Sequence, residues 1–345
     1  MDNPILEIKH LKINFRTEDG TAEVINDVNI KLNKGEVIAL VGESGCGKSV
    51  TVKSVLGLVP VPPATYVRGE ILFKGRNLMN LKEEDWQQIR GRGISMIFQD
   101  PMTSLNPVFT IGQQLTDVYL WQGKKRFISW KGYNRELRQK ARARAIELLT
   151  KMRIPDPEAM LDRYPVELSG GMRQRILIAL ALVHNPELLI ADEPGTALDV
   201  SVQDQILVEL KRLIKEEGIS MIFITHNLGV ARMISDRTYV MYAGEVVEEG
   251  KTEKLFERQY HPYTKGLLQS LPKLSGGMGE GIDGRIPSFT RPPQGCRFYD
   301  RCPERANICQ TVPPTLGKTE DGRNIACHLY KESGEKSCQK TLSSK

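Results

Sequence analysis

The stretch GESGCGKS at residues 42–49 constrains the fold of this chain more than any other part of its 345 residues. It follows the apolar, β-branched run VIALV at 37–41, which predicts a buried strand, and it precedes a run at 50–56 that predicts a helix. Gly, four residues and then Gly-Lys-Ser is the spacing of a phosphate-binding loop. We therefore predict an α/β fold with a mostly parallel sheet and a nucleotide site formed by Gly42, Ser44, Gly45, Cys46, Gly47, Lys48, Ser49 and Val50.

Each residue type in this loop has a chemical reason. The glycines leave backbone N–H groups free to surround the β-phosphate, and the Lys48 ammonium reaches the β- and γ-phosphates. The Ser49 hydroxyl is the expected ligand of a magnesium ion. Cys46 is interpreted as a small filler rather than a nucleophile. The expected ligands are therefore ATP and Mg²⁺.

A second apolar run, LLIA at 188–191, ends in the acidic pair Asp192 and Glu193. Alone, such a pair is more often an ordinary junction between a strand and a loop. In a protein with a phosphate-binding loop, however, an acidic group at the end of a neighbouring strand holds the magnesium shell. We assign this role to Asp192, and we assign Glu193 as the general base that polarises the attacking water.

The sequence LSGGMRQR at 168–175 precedes a nearly unbroken apolar helix at 176–183. Ser169 is placed to cap that helix, and the N–H groups of Gly170 and Gly171 can approach a phosphate without obstruction by side chains. This is a second anion site in a domain that has one γ-phosphate to hold. It indicates a nucleotide that is shared with another subunit.

With these motifs the sequence resembles the ATP-binding cassette (ABC) family over residues 1 to about 258. The resemblance implies that Gln99 is a catalytic residue and a magnesium ligand, and that it links the magnesium site to a helical subdomain and a membrane partner. It also implies that Ser169 to Gln174 bind the γ-phosphate of the opposite subunit's ATP. It also implies that Asp199 lies in the D-loop, that His226 contacts the γ-phosphate, and that Phe15 stacks on adenine. Gly195 departs from the family, which usually has a residue with a β-carbon there.

The rest of the pattern predicts the organisation of the chain. Alternating residues at the start predict a small antiparallel sheet, and residues about 100–170 predict an inserted helical subdomain with Leu137, Ala141, Ala145 and Leu148 on one helix face. We place a boundary near residue 258, an extension at 259–332 and a flexible tail at 333–345. No run approaches the roughly 18 apolar residues of a membrane span. We expect a peripheral protein at the cytoplasmic face of the membrane.

Two segments, HPYTKGLLQSLP at 261–272 and RIPSFTRPPQGCRFYDRCPERANIC at 285–309, resemble the C-terminal extension of dipeptide and oligopeptide importers. That subgroup also includes some nickel and sugar transporters, so those substrates are alternatives. Ser288 departs from its pattern, which commonly has Gly. The resemblance implies a second, paralogous ATPase subunit, two transmembrane permease subunits and an extracytoplasmic binding protein as partners.

Four cysteines crowd into this extension, separated by five, six and seventeen residues. This spacing alone selects neither zinc nor an iron–sulfur cluster. Some members of the subgroup bind a four-iron four-sulfur cluster through such a set, and the resemblance therefore implies that cluster, with zinc as the alternative and free thiols as the plainer interpretation. The predicted ligands are Cys296, Cys302, Cys309 and Cys327.

Two other classes of protein share some of these sequence features. The segment at 124–144 mixes aromatic residues with nine basic residues, as in a soluble ABC ATPase that acts on nucleic acid. That class carries a second cassette or a long coiled-coil insertion, which this chain lacks. A kinase with a phosphate-binding loop has no use for the LSGG element or for His226. We expect no nucleic-acid partner.

Overall fold

The computed structural model describes residues 4–99, 104–121, 135–195, 198–270 and 281–330. The predicted tail, Cys338 and residues 124–134 of the basic segment at 124–144 lie outside these residues. The chain divides into two compact units, one formed by residues 1–33, 37–79 and 223–345 and the other by residues 34–36 and 80–222. We call them unit 1 and unit 2 and describe each by itself.

Unit 1 begins with the predicted antiparallel sheet. Strands β1 (Leu6–Thr17), β2 (Gly20–Leu32), β4 (Ala64–Phe73) and β5 (Arg76–Asn77) lie in the order β2-β1-β4-β5. Strand β1 pairs antiparallel with both β2 and β4, with Ile8 opposite Ile30 and Ile71. Because the buried residues of β1 alternate with more exposed ones, the sheet has one face against the core.

The second sheet of unit 1 contains the strand that leads into the phosphate-binding loop. Its order is β11-β12-β10-β9-β3 followed by the last residues of β8. The predicted buried strand is β3 (Val37–Val41), and helix α1 (Lys48–Val55) follows it as predicted. The other elements are β8 (Ser220–Thr225), α8 (Leu228–Ile234), β9 (Arg237–Tyr242), β10 (Glu245–Lys251), α9 (Thr252–Glu257), α10 (Pro262–Gln269), α11 (Ile308–Thr311), β11 (Gly317–Lys318) and β12 (Asn324–Ile325).

Only part of this sheet is parallel, so the prediction of a mostly parallel sheet is too simple. Strand β3 pairs parallel with β9, but β9 with β10, β10 with β12 and β11 with β12 are antiparallel. The reversal after β9 follows from a two-residue turn, in which Ala243 and Gly244 both have positive φ, 45° and 85°. Such a turn joins antiparallel neighbours directly, without a crossover helix.

The residues after 258 belong to the same compact unit as the phosphate-binding loop. Tyr263 and Phe298 pack in one hydrophobic cluster with Ala39 and Val41 of β3. The reason is that this extension has little apolar material for a core of its own, and its aromatic residues complete the core of unit 1 instead.

A buried arginine next to β12 helps to hold this strand of the extension against β10. The Arg323 side chain is 2% exposed; it pairs with Glu248 and Asp321 and lies 4.3 Å from the ring centroid of Tyr260. Burial alone would raise the pKa of Asp321, but the hydrogen bonds from Arg323 and Thr319 lower it to about 2. These charges tie β12 to β10.

Unit 2 contains strands β6 (Ile94–Ile97) and β7 (Leu188–Asp192), which pair parallel, and the first residues of β8, beside β7. Its helices are α2 (Glu83–Ile89), α3 (Ile111–Leu120), α4 (Arg135–Lys151), α5 (Pro157–Met160), α6 (Gly170–Ala181) and α7 (Val200–Glu217). In α4 the residues Ala141, Ala145 and Leu148 are buried as the sequence predicts, and Leu137 is partly buried. No helix in the described part of the chain is both long and apolar enough to span a membrane.

Candidate ATP site

The phosphate-binding loop in unit 1 depends on its glycines for steric reasons. Gly42 has φ 152°, and a β-carbon there would lie 2.2 Å from the carbonyl oxygen of Met241. Gly47 has φ 105°, and a β-carbon there would lie 2.7 Å from Cδ1 of Ile25. Any larger residue at either position would therefore push the loop away from the strands beneath it.

Lys48 is drawn into the loop rather than extended into solvent. Its side chain is buried, and Nζ donates hydrogen bonds to the carbonyl oxygens of Gly42, at 2.8 Å, and Glu43, at 2.9 Å. Cys46 Sγ lies 3.8 Å from the same Nζ, and burial raises the pKa of the Cys46 thiol. A protonated thiol is a poor nucleophile, which fits the interpretation of Cys46 as a filler. Ser44 and Gly45 are exposed, and Ser49 and Val50 are partly buried.

Unit 2 carries the acidic pair. Asp192 ends β7 and is buried, and Glu193 follows it with φ 48°, a left-handed conformation that is uncommon for a residue with a side chain. The backbone N–H of Gly195 donates to the Glu193 carbonyl at 2.8 Å. Gln99 Nε2 donates to Glu193 Oε2 at 3.1 Å. The structure thus brings Gln99 and Glu193 together, a contact that the sequence did not predict.

The LSGG element begins helix α6 as the sequence predicts. Ser169 is the N-cap, and its Oγ accepts a hydrogen bond from the N–H of Met172 at 3.3 Å. Ser169 and Gly170 are exposed, but Gln174 is 1% exposed, and its Nε2 has no hydrogen-bond partner among the described residues. The burial of Gln174 separates it from the exposed cap residues with which the sequence grouped it.

Packing also explains why residues 170 and 171 are glycines, which the sequence did not reveal. A β-carbon at Gly171 would lie 2.8 Å from Cγ1 of Val202, and one at Gly170 would lie 3.1 Å from Cδ2 of Leu198. A β-carbon at either position would crowd residues at or just before the start of α7, so the lack of a side chain lets α6 pack closely there. The glycines therefore serve helix packing as well as any phosphate contact.

The remaining predicted residues lie on separate elements. His226 is exposed directly after β8, next to Asn227, whose Oδ1 caps α8 by accepting from the N–H of Gly229 at 2.9 Å. Asp199 is the exposed N-cap residue of α7. Phe15 is partly buried in β1, opposite Ala22 and Ala64.

Three residues at the phosphate-binding loop were missed by sequence reasoning. The Glu43 carboxylate pairs with Arg301, and the Glu43 N–H donates to the hydroxyl of Tyr263. Tyr263 lies in the segment 261–272 and Arg301 in the segment 285–309. In the sequence these two segments indicated only the resemblance to peptide importers. No sequence spacing signals a contact between residues so far apart along the chain.

The four cysteines line one small cavity, together with His261 and Phe298. Backbone N–H groups two residues further along, those of Phe298, Glu304 and Leu329, donate to the sulfur atoms of Cys296, Cys302 and Cys327. Burial raises the pKa of Cys296 and Cys327 to about 12. Among the described residues no group of three or more His, Cys, Asp or Glu side chains is arranged to hold a metal ion. The metal-binding character predicted for the extension, whether as a four-iron four-sulfur cluster or as zinc, gains no support from this finding.

The fold and the loop define a P-loop nucleotide-binding cassette. Residues 25–196 match the family model described as ABC transporter, and residues 247–309 match the one described as oligopeptide/dipeptide transporter, C-terminal region. A dimeric ATP-binding cassette solved in a post-hydrolysis state with ADP and Pi superposes with a TM-score of 0.60 at 26% identity, covering 72% of this chain and 98% of that chain.

Two curated relatives cover nearly the whole chain. The dipeptide transport ATP-binding protein DppD of Bacillus subtilis (strain 168) is 44% identical over 96% of this chain and 96% of its own length. The oligopeptide transport ATP-binding protein OppD of the same organism is 48% identical over 94% of this chain and 88% of its own length. The chain belongs to the family of ABC transporter ATP-binding proteins with an oligopeptide/dipeptide transporter C-terminal region. It is an ATPase.

Proposed function

We propose that this chain is the subunit that hydrolyses ATP to energise an ABC importer of dipeptides or oligopeptides. One observation carries this proposal: a phosphate-binding loop with its lysine in place is built into the same compact unit as a C-terminal region of the peptide-transporter type. The relatives named for dipeptide and oligopeptide transport support the substrate class. Nickel and oligosaccharides remain the alternative cargoes.

The roles of the chain's own residues follow from their chemistry. Backbone N–H groups of the loop and Lys48 bind the β- and γ-phosphates, and Ser49 and Asp192 are the oxygen ligands suited to a magnesium ion, which neutralises phosphate charge. Glu193 accepts a proton from the attacking water. Its hydrogen bond with Gln99 is the contact that orients this carboxylate. His226 is assigned to the γ-phosphate and Phe15 to the adenine ring.

The exposed cap of α6 supports a partner subunit. Ser169, Gly170 and Gly171 offer a hydroxyl and N–H groups at a helix N-terminus, a suitable site for the γ-phosphate of ATP bound to a second, homologous ATPase subunit. Two permease subunits and an extracytoplasmic binding protein complete the assembly that we propose, with this chain peripheral at the cytoplasmic face of the membrane. In this scheme residues 1–258 form the ATPase domain, about 100–170 its helical subdomain, and 259–332 the extension.

We also propose that the cysteine cavity holds a four-iron four-sulfur cluster. A four-iron four-sulfur cluster would be held by four cysteine thiolates, here Cys296, Cys302, Cys309 and Cys327, and a zinc ion on the same thiolates is the alternative. Four cysteine thiols around one cavity, three of them accepting backbone N–H groups, match the four thiolate ligands of such a cluster. The cluster would supply positive charge that keeps these buried thiols deprotonated and would staple the extension.

Transport by reconstituted vesicles tests the function. The chain is purified with its permease and ATPase partners, and ATP-dependent uptake of a labelled dipeptide, an oligopeptide, an oligosaccharide and nickel is compared. We expect peptide uptake that is lost in Lys48→Ala. Uptake of nickel or sugar alone would overturn the substrate class, and ATPase activity stimulated by DNA or RNA but not by the membrane subunits would overturn the transport function.

The cluster is tested separately. Anaerobic purification followed by iron, sulfide and zinc analysis should give about four iron and four sulfide per chain, with a broad visible absorbance that is lost when Cys302 is replaced by Ser. One zinc per chain and no iron would overturn the proposal, as would a preparation without either metal.

A further inference from the structure

Glu43, the second residue of the phosphate-binding loop, uses all of its polar groups in contacts. Its N–H donates to Tyr263 Oη at 2.9 Å, and its carbonyl oxygen accepts from Lys48 Nζ at 2.9 Å. Its carboxylate makes a two-point pair with Arg301, Nη1 to Oε2 at 2.8 Å and Nη2 to Oε1 at 3.0 Å. One residue therefore joins the phosphate-binding lysine to the C-terminal extension.

Arg301 is itself held in place on several sides. Its side chain is 6% exposed, Nε donates to the Asp283 carbonyl at 2.8 Å, and Nη2 donates to the Ile282 carbonyl at 3.0 Å. The guanidinium carbon lies 5.6 Å from the ring centroid of Tyr242. A guanidinium whose donors are already placed loses little freedom when it grips a carboxylate in this fork geometry.

Tyr263 is fixed by packing. It is fully buried, with its ring centroid 4.7 Å from that of Tyr242 and 5.4 Å from that of Phe298. Because these aromatic rings belong to the hydrophobic cluster that includes β3, the hydroxyl cannot move independently of the strand that leads into the loop.

We infer that Arg301 and Tyr263 are positioning residues for the phosphate-binding loop, so that the C-terminal extension sets the affinity of this ATPase for ATP. They hold Glu43 in the conformation that keeps its carbonyl on Lys48. Arg301 also neutralises a carboxylate that is part of a loop built to receive a triphosphate. Without Arg301 that carboxylate repels the phosphates. This inference rests on the nucleotide site proposed above.

The test measures the Kd for MgATP by fluorescence titration, together with KM and kcat of hydrolysis, in the full-length chain. Arg301→Gln should raise Kd and KM about tenfold, which corresponds to about 1.4 kcal/mol, because it removes a charge-assisted, two-point hydrogen bond that is partly exposed. The kcat at saturating ATP should change less than about threefold. Adding Glu43→Gln to Arg301→Gln should restore most of the affinity, because the uncompensated charge is gone.

Arg305→Gln is the matched control. It removes the same charge from the same segment, where Arg305 is exposed and contacts Asp300 and Tyr299 of that segment. We expect ATP affinity equal to that of the wild type. Two further variants, Arg301→Lys and Tyr263→Phe, keep the charge and the ring respectively, and each should weaken ATP binding about threefold even if Arg301→Gln fails to fold.

The possible results separate the inference from the proposed function. If the wild-type chain itself does not bind ATP, the nucleotide site is wrong. If the wild type binds ATP and the variants at Arg301 and Tyr263 bind it equally well, only the inference fails. It also fails if the double variant Glu43→Gln, Arg301→Gln binds ATP as weakly as Arg301→Gln alone, because the effect would then be a general loss of structure.

Discussion

Replacing Glu193 by Gln should separate ATP binding from hydrolysis. The change leaves the size of the side chain intact and removes its negative charge. Gln99 Nε2 donates to Glu193 Oε2 at 3.1 Å, and the amide oxygen of the new Gln can accept the same hydrogen bond. Exchanging a buried charge-assisted hydrogen bond for a neutral one lowers the free energy of unfolding by about 1 kcal/mol. The loss is smaller here because Gln99 is exposed.

If Glu193 is the general base that we propose, its replacement should affect the hydrolysis rate much more than it affects stability. Removing a positioned base typically slows a reaction about 10²–10⁴-fold, which corresponds to about 2.7–5.4 kcal/mol in the activation free energy. The variant should fold and bind ATP with a Kd within about threefold of the wild type, because the expected loss of stability is less than about 1 kcal/mol. It should hydrolyse ATP at about 1% of the wild-type rate or less. The left-handed backbone of residue 193 is the same in both chains and should not contribute.

The assay combines phosphate release with size-exclusion chromatography in MgATP. We expect the variant to accumulate as an ATP-loaded pair of ATPase subunits. Glu187→Gln, the same change just before the other end of β7, is the control and should keep the wild-type rate. Hydrolysis by Glu193→Gln within about threefold of the wild type would refute the assignment of the base, and loss of ATP binding would refute the argument that the fold is preserved.

Three further predictions concern local geometry. Gly195→Ala places a β-carbon 2.6 Å from Cγ of Gln203, so the free energy of unfolding should fall by about 1–3 kcal/mol. Adding Gln203→Ala should restore it. Urea denaturation of both variants measures these changes, and a double variant that is no more stable than Gly195→Ala would contradict the prediction. Ser169→Ala removes a helix cap and should lower the free energy of unfolding by about 1 kcal/mol. If the hydroxyl also contacts the partner's nucleotide, the ATPase rate of the folded variant should fall by more than about tenfold. A rate that falls only as much as the folded fraction would contradict that contact. The pKa of Asp321 is lowered from 3.8 to about 2, with Arg323 as a hydrogen-bond donor. The contribution of this carboxylate to stability is therefore present above about pH 4 and is lost as the pH falls through about 2. Acid unfolding followed by circular dichroism should show this loss in the wild type and not in Asp321→Asn, and identical unfolding curves would contradict the ion pair.

The sequence predicted those parts of the fold whose signals are local. Strand β3, the glycine-rich loop and helix α1 follow one another within residues 37–55, so a single stretch of chain specifies all three elements. The Ser169 cap and the buried strand before Asp192 are local in the same sense. In the second sheet of unit 1, strands β11 and β12 were missed because they have two residues each, too short to show an alternating pattern.

The tertiary structure alone decided what surrounds the nucleotide site. Glu43 meets Tyr263 across 220 positions of sequence and Arg301 across 258, and neither spacing has a periodicity that could reveal the contact. The sequence by itself determined that the chain has a phosphate-binding loop with a lysine and an acidic pair at the end of a second strand. Both motifs consist of neighbouring residues, so their local pattern is sufficient to identify them. Packing determined that residues of the extension hold the loop, because aromatic side chains too few to form a second core are buried most favourably in the existing one.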